Sequence, residues 1–168
     1  MKIRQGFVSN SSSSSFIVPF PKDMEMTVSN IHKYLYGDTP FSIYYYESSV
    51  SSMEAAQIIH DEIHKQTSND KKRLYDAMDG WIPGQPEWDY SNNPLLPANH
   101  EEWNKQWRKY EKRLERYRNG LLNEYTHKWG DNVDLYTFVF SDEDGLPWVV
   151  LEYGPTFDNV PHLAISHH

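Results

Sequence analysis

Residues 101–129 read EEWNKQWRKYEKRLERYRNGLLNEYTHKW. At helical spacing, Trp103, Trp107, Tyr110, Leu114, Tyr117, Leu121, Tyr125 and Trp129 fall on one side, with steps of three and four residues. Lys105, Arg108, Lys109, Lys112, Arg113, Arg116 and Arg118 occupy the other sides. The stretch therefore predicts one long helix with an aromatic stripe and a basic back. Asn99 stands where an N-cap belongs, and Glu101 and Glu102 suit the positive first turn. Gly120 is unfavourable in a helix interior, yet the apolar spacing continues across it, which predicts a single helix, straight or kinked. Such a stripe is not stable alone in water. Segments before and after it must supply its cover.

Charge is divided along the chain. The whole carries −8, but 7 of its 16 Lys and Arg lie between positions 105 and 118, where only Glu111 and Glu115 oppose them. That segment is +5 and the remainder −13. An acidic whole argues against general nucleic-acid affinity, whereas a local cationic strip is a candidate contact surface. Arg108, Lys109, Lys112, Arg113 and Arg116 are its candidate binding residues. The plain alternative is that these cations neutralise acidic neighbours within the fold.

There is no cysteine, which excludes disulfides, thiolate metal sites and cysteine nucleophiles. No apolar run reaches the length of a membrane span, and residues 1–8 lack the apolar region of a secretory signal. The expectation is a cytoplasmic protein without a membrane partner.

Upstream of the long helix, Phe16-Ile17-Val18-Pro19-Phe20 predicts a strand, which the prolines at 19 and 21 make hard to continue in a central position. Thr27 as cap, Val28, Ile31 and Leu35 as apolar face and Gly37 as stop predict a short helix. Strand chemistry returns at 41–46. Ser51 with Glu54 forms a capping box for a helix to about residue 66, and Asn69 or Asp70 caps another over 71–78 ahead of Gly80. Four prolines and a glycine rule out regular structure over 81–99, but Trp81, Ile82, Trp88, Tyr90, Leu95 and Leu96 argue that this loop wraps the core and caps the long helix. An aromatic contact surface is the other reading. Downstream, 135–140 and 148–153 flank a polar Asp/Gly segment and predict a hairpin; the tail, 160–168, reads as a last short strand or, as the stronger expectation, a disordered end. The order predicts an α+β fold in one domain over 1–168: a small, mainly antiparallel sheet with helices on one face. A helical subdomain over 51–129 is the alternative division.

Two patterns carry candidate chemistry. His60 and His64 stand one helical turn apart, a spacing that can share a metal, and His162 or His167, or an Asp, would supply a third ligand. Asp61 occupies the place where zinc proteases carry their longer Glu. Two terminal histidines also match a tag remnant. The second pattern is the serine run Ser11 to Ser15, readable as a solvated loop or as an anion or modification site. It has neither the glycines and lysine of a phosphate loop nor the G-x-S-x-G of a nucleophile elbow.

The string Arg4-x-Gly6-Phe7-Val8-Ser9-Asn10-Ser11-Ser12-Ser13-Ser14-Ser15-Phe16 resembles the N-terminal signature of a loose set of uncharacterised proteins, chiefly from tailed bacteriophages and some bacteria. The resemblance covers about the first 18 residues. It implies a phage or mobile-element origin, hence the host cytoplasm, and transfers no catalytic residue. The sequence thus predicts a non-enzymatic interaction protein, a phage accessory factor binding a host or phage protein or itself. Nucleic acid is the lesser partner. The alternative is a metal-dependent enzyme at His60 and His64, with a divalent cation as cofactor.

Overall fold

A computed structural model describes residues 13–45, 47–88, 100–141, 151–152 and 154–167. The elements in chain order are β1 (Ser13–Pro21), α1 (Val28–Tyr36), β2 (Ser42–Tyr45), β3 (Ser48–Ser51), α2 (Ser52–His64), α3 (Lys71–Ala77), α4 (His100–Trp129), β4 (Val133–Ser141) and β5 (Leu163–Ser166). This is an α+β fold. β1 lies at the centre of a three-stranded antiparallel sheet of order β4-β1-β5, and β2 and β3 form a separate hairpin.

The prolines explain how β1 can be central. β5 pairs only with Ser14 to Ile17, whereas β4 pairs with the whole of β1, out to Pro21 opposite Val133. Pro19 and Pro21, which have no N–H to donate, therefore fall where one edge of the strand is already open. The last three serines of the run extend this strand, with Ser13 opposite Ser141. They are sheet residues, not the loop that serine composition suggests.

Alternation along the strands builds two cores. Phe16, Val18 and Phe20 share a face with Tyr136, Phe138 and Phe140, and α1 and α2 cover it through Ile31, Leu35, Ala55, Ile59 and Ile63. Ile17, Leu135, Leu163 and Ile165 point the other way, onto Leu74, Ala77 and Met78 from α3 and its exit. The helices are thus shared between the two faces of the sheet, whereas the sequence suggested one. The reason is that β1 and β4 bury apolar residues at both odd and even positions, as Ile17 and Val18 and Leu135 and Tyr136 show.

The helix ends follow their local chemistry. The Thr27 side chain accepts from Asn30 N–H, and Gly37 ends α1 at φ 86°. Ser51 accepts from Glu54 N–H, and Asp70 from the N–H groups of Lys72 and Arg73. α4 runs unbroken through Gly120, where an added Cβ would meet nothing within 4 Å. Gly120→Ala is therefore expected to stabilise the protein by about 0.5–1 kcal/mol, read as a higher denaturant midpoint at unchanged m-value. A destabilised variant would mean that α4 is distorted at this point.

The expected 135–153 hairpin is corrected where it can be seen. β4 pairs with β1, and Leu151 and Glu152 are helical; 142–150 and Tyr153 lie outside the described residues. A short continuous apolar run reports burial, and Leu151 is indeed buried, but it does not distinguish strand from helix.

Candidate functional site

The C-terminal half of α4 is a core element. Tyr117, Leu121, Leu122, Tyr125 and Trp129 pack against the α3-side core. Arg118 is drawn inward as well. It is 7% exposed, and its Nη1 lies 3.0 Å from Asp79 Oδ1, tying α4 to the segment after α3. The Tyr117 hydroxyl donates to the Pro83 carbonyl at 2.8 Å, and Ile82 is buried in the same core. The described part of the 81–99 loop thus touches α4 at Pro83 and Ile82, while Trp81 is exposed and Tyr90, Leu95 and Leu96 lie outside the described residues.

The N-terminal half of α4 is organised differently. Trp88 lies edge-on to Trp107 and Tyr110, with ring centroids 5.1 and 5.3 Å apart, and Trp103 stacks on Trp107. Trp103 is still 37% exposed. Behind this cluster, Arg108, Lys112 and Arg116 form one row at four-residue spacing, and Lys109 and Arg113 form the adjacent row. All five are exposed, and none makes an ion pair with a described residue. Arg116 Nε donates instead to the Lys112 carbonyl, 3.1 Å away.

The two acids within this segment do not neutralise it. Glu111 accepts from the Trp107 indole N–H at 2.7 Å, on the aromatic side. Glu115 lines the groove between α3 and α4 beside Asp79 and Arg118. Glu111 thus turns to the aromatic stripe and Glu115 to the α3 side, and neither is ion-paired to the cationic surface. A recess of about 720 Å³ borders it, lined by Glu101, Asn104, Lys105, Arg108, Lys109 and Lys112. Charge-assisted contacts to carboxylates are the chemistry such a surface offers.

The four histidines of the metal alternative stand in three places. His60 and His64 face one another on α2, with ring centroids 4.1 Å apart. His60 Nδ1 lies 2.9 Å from Asp61 Oδ1, and His64 Nδ1 bonds to the His60 carbonyl. The bonds from His60 and Gln57 hold the Asp61 carboxyl below its ordinary range. His162 packs against Phe16 and Phe157, on the other side of β1 from the chain's end. His167 lies against Ser15. Among the described residues no three His, Asp or Glu are placed to hold one metal. The helical spacing of His60 and His64 was legible, but the third ligand depended on a tertiary placement that no spacing shows.

Of the N-terminal motif, Gly6, Phe7, Asn10, Ser11 and Ser12 lie outside the described residues, and Ser13 begins β1. A contact that the sequence did not signal closes the run: Ser15 Oγ lies 2.6 Å from His167 Nε2. The two residues are 152 positions apart, and only the β1–β5 register brings them together. A second unsignalled feature is buried His32, whose Nε2 bonds to Ser52 Oγ at 2.8 Å; the same oxygen accepts from Phe41 N–H. That network joins α1, α2 and the approach to the hairpin.

Among the described residues, no helix is long and apolar enough to cross a membrane. No family model, curated protein or solved structure matches the chain.

Proposed function

We propose that the protein works by association, engaging an acidic surface on another protein through the basic face of α4. The observation that carries this reading is the set of five exposed cations, Arg108, Lys109, Lys112, Arg113 and Arg116, none ion-paired among the described residues. Cations that served the fold would lie against its carboxylates, as Arg118 does against Asp79. An acidic protein patch fits better than nucleic acid, because a long polyanion would also meet the −13 carried by the rest of the chain. A phage-encoded accessory factor acting on a host protein is the setting that the N-terminal signature supports. A second copy, with its acidic remainder, meets the same chemical requirement.

The test compares two baits in extract of the native host, the wild type and Arg108→Glu/Lys112→Glu/Arg116→Glu. A protein retained by the wild type at low salt, released at high salt and absent from the charge-reversed bait is the expected result. Equal capture by both baits, with the variant's circular dichroism and unfolding transition unchanged, would remove α4 as the contact. Retention that disappears on nuclease treatment would assign the face to nucleic acid. A dimer in size exclusion that the variant loses would assign it to self-association.

A further inference from the structure

The contact between Ser15 and His167 lies at a cavity. Between the sheet and α3 is a space of about 330 Å³, lined by Ser13, Ser15, Thr137, Val139, Arg73 and His167, with Asp76 and Ala77 at its α3 side. Ser15 is 1% exposed, yet its side chain forms part of this wall. Val139, on the same side of the sheet, is 55% exposed, so the cavity opens outward beyond α3.

Both partners are held by backbone. Ser15 sits in the central strand, paired with Val139 on one side and Ile165 on the other. His167 N–H donates to the Ser13 carbonyl at 3.0 Å, and the residue before it, Ser166, forms a bridge with Trp81. The Gly80 backbone approaches so closely that a Cβ there would lie 3.0 Å from His167 Nδ1. The imidazole is therefore confined next to the hydroxyl, by contacts separate from those that position the basic face of α4.

We propose that Ser15 and His167 are a nucleophile–base pair for acyl transfer, and that the cavity takes a small carboxylic ester with an anionic end toward Arg73. In the tautomer with its proton on Nδ1, His167 accepts the Ser15 hydroxyl proton at Nε2 while Oγ attacks the ester carbonyl carbon. The carbonyl then re-forms as the bond to the alcohol oxygen breaks, and Nε2 returns the proton to the departing alcohol. Water, deprotonated by the same nitrogen, cleaves the acyl-Ser15 ester, releases the acid and restores the hydroxyl. The Arg73 guanidinium attracts the substrate's carboxylate. The proposed unit is the pair itself, Ser15 Oγ and His167 Nε2.

Fluorophosphonate labelling of the full chain, with adducts located by peptide mass mapping, tests this directly. The expected result is one adduct at Ser15, with fluoride as leaving group, and none at Ser13 or Ser14, which share its strand but lack an imidazole partner. His167→Gln keeps a hydrogen-bonding group beside Ser15 but cannot take up its proton. It is expected to slow labelling about 100-fold or more while the thermal transition stays cooperative. Wild-type protein with its native transition and no adduct at Ser15 would overturn the proposal. So would adducts spread evenly along the serines, or a His167→Gln variant labelled at the wild-type rate.

Discussion

Phe138→Ala is expected to cost about 3–5 kcal/mol, the range for removing a large aromatic from a packed core. Phe138 is 1% exposed and sits in β4 opposite Phe16. Its ring centroid lies 5.3 Å from Phe157 and 6.3 Å from each of Phe20 and Phe140. These neighbours come from β1, β4 and the segment before β5, so none can close the void without moving a strand. For a chain of this size the loss corresponds to a fall of roughly 6–20 °C in melting temperature. A change under about 1 kcal/mol would show that the α1–α2 side is not the principal core, because surface substitutions produce effects of that size.

Gly80→Ala is the second large effect, and it acts through backbone. A Cβ at position 80 would lie 2.5 Å from the Ser166 carbonyl oxygen and 2.7 Å from Ile165 Cγ2. Neither atom is the free end of a flexible side chain. Ser166 and Trp81 exchange backbone hydrogen bonds, and buried Ile165 belongs to the α3-side core. The clash must push β5 from its place or open the Trp81 bridge, at an expected cost of about 1–3 kcal/mol. β5 joins β1 through only Leu163 to Ser166, so amide exchange should rise there first and leave β1–β4 protected. Uniform exchange across the sheet, or no change in stability, would contradict the close approach. Ser15 and His167 depend on the same strand, so fluorophosphonate labelling should weaken in this variant.

Much of the fold was legible because its signals were local. The cap at Thr27, the stop at Gly37, the Ser51–Glu54 box and the three-and-four spacing from Trp103 to Trp129 each act within one or two turns, and each helix formed where they stood. The tail forms a short strand, Leu163–Ser166, where a disordered end was the stronger expectation, because its pairing with β1 is not a local signal. What failed depended on pairing. β1 is central although it carries two prolines, because β5 stops at Ile17 before the prolines matter. β3 was not foreseen, since Ser48 to Ser51 is serine-rich apart from Val50, and buried Val50 alone gives no alternation. At the candidate sites the division is the same. The cationic rows on α4 are a property of one helix and can be read directly. The turning of Glu111 toward Trp107 is likewise a contact within one helix, one turn apart, whereas the separation of Arg118 from the rows and the meeting of Ser15 with His167 arise from tertiary contacts.

α4 joins the core by its C-terminal half, and its basic face is the surface proposed to take an acidic partner. Titration with polyglutamate, followed by intrinsic fluorescence, reads this directly, since Trp103 and Trp107, with Trp88 packed against them, lie at the same half of α4 as the cations. The wild type is expected to show a saturable change at low salt that weakens steeply as salt rises. Arg108→Glu/Lys112→Glu/Arg116→Glu should bind at least about tenfold more weakly, about 1.4 kcal/mol or more, with an unchanged unfolding midpoint. Equal binding by wild type and variant, or no response from either at low salt, would contradict the account.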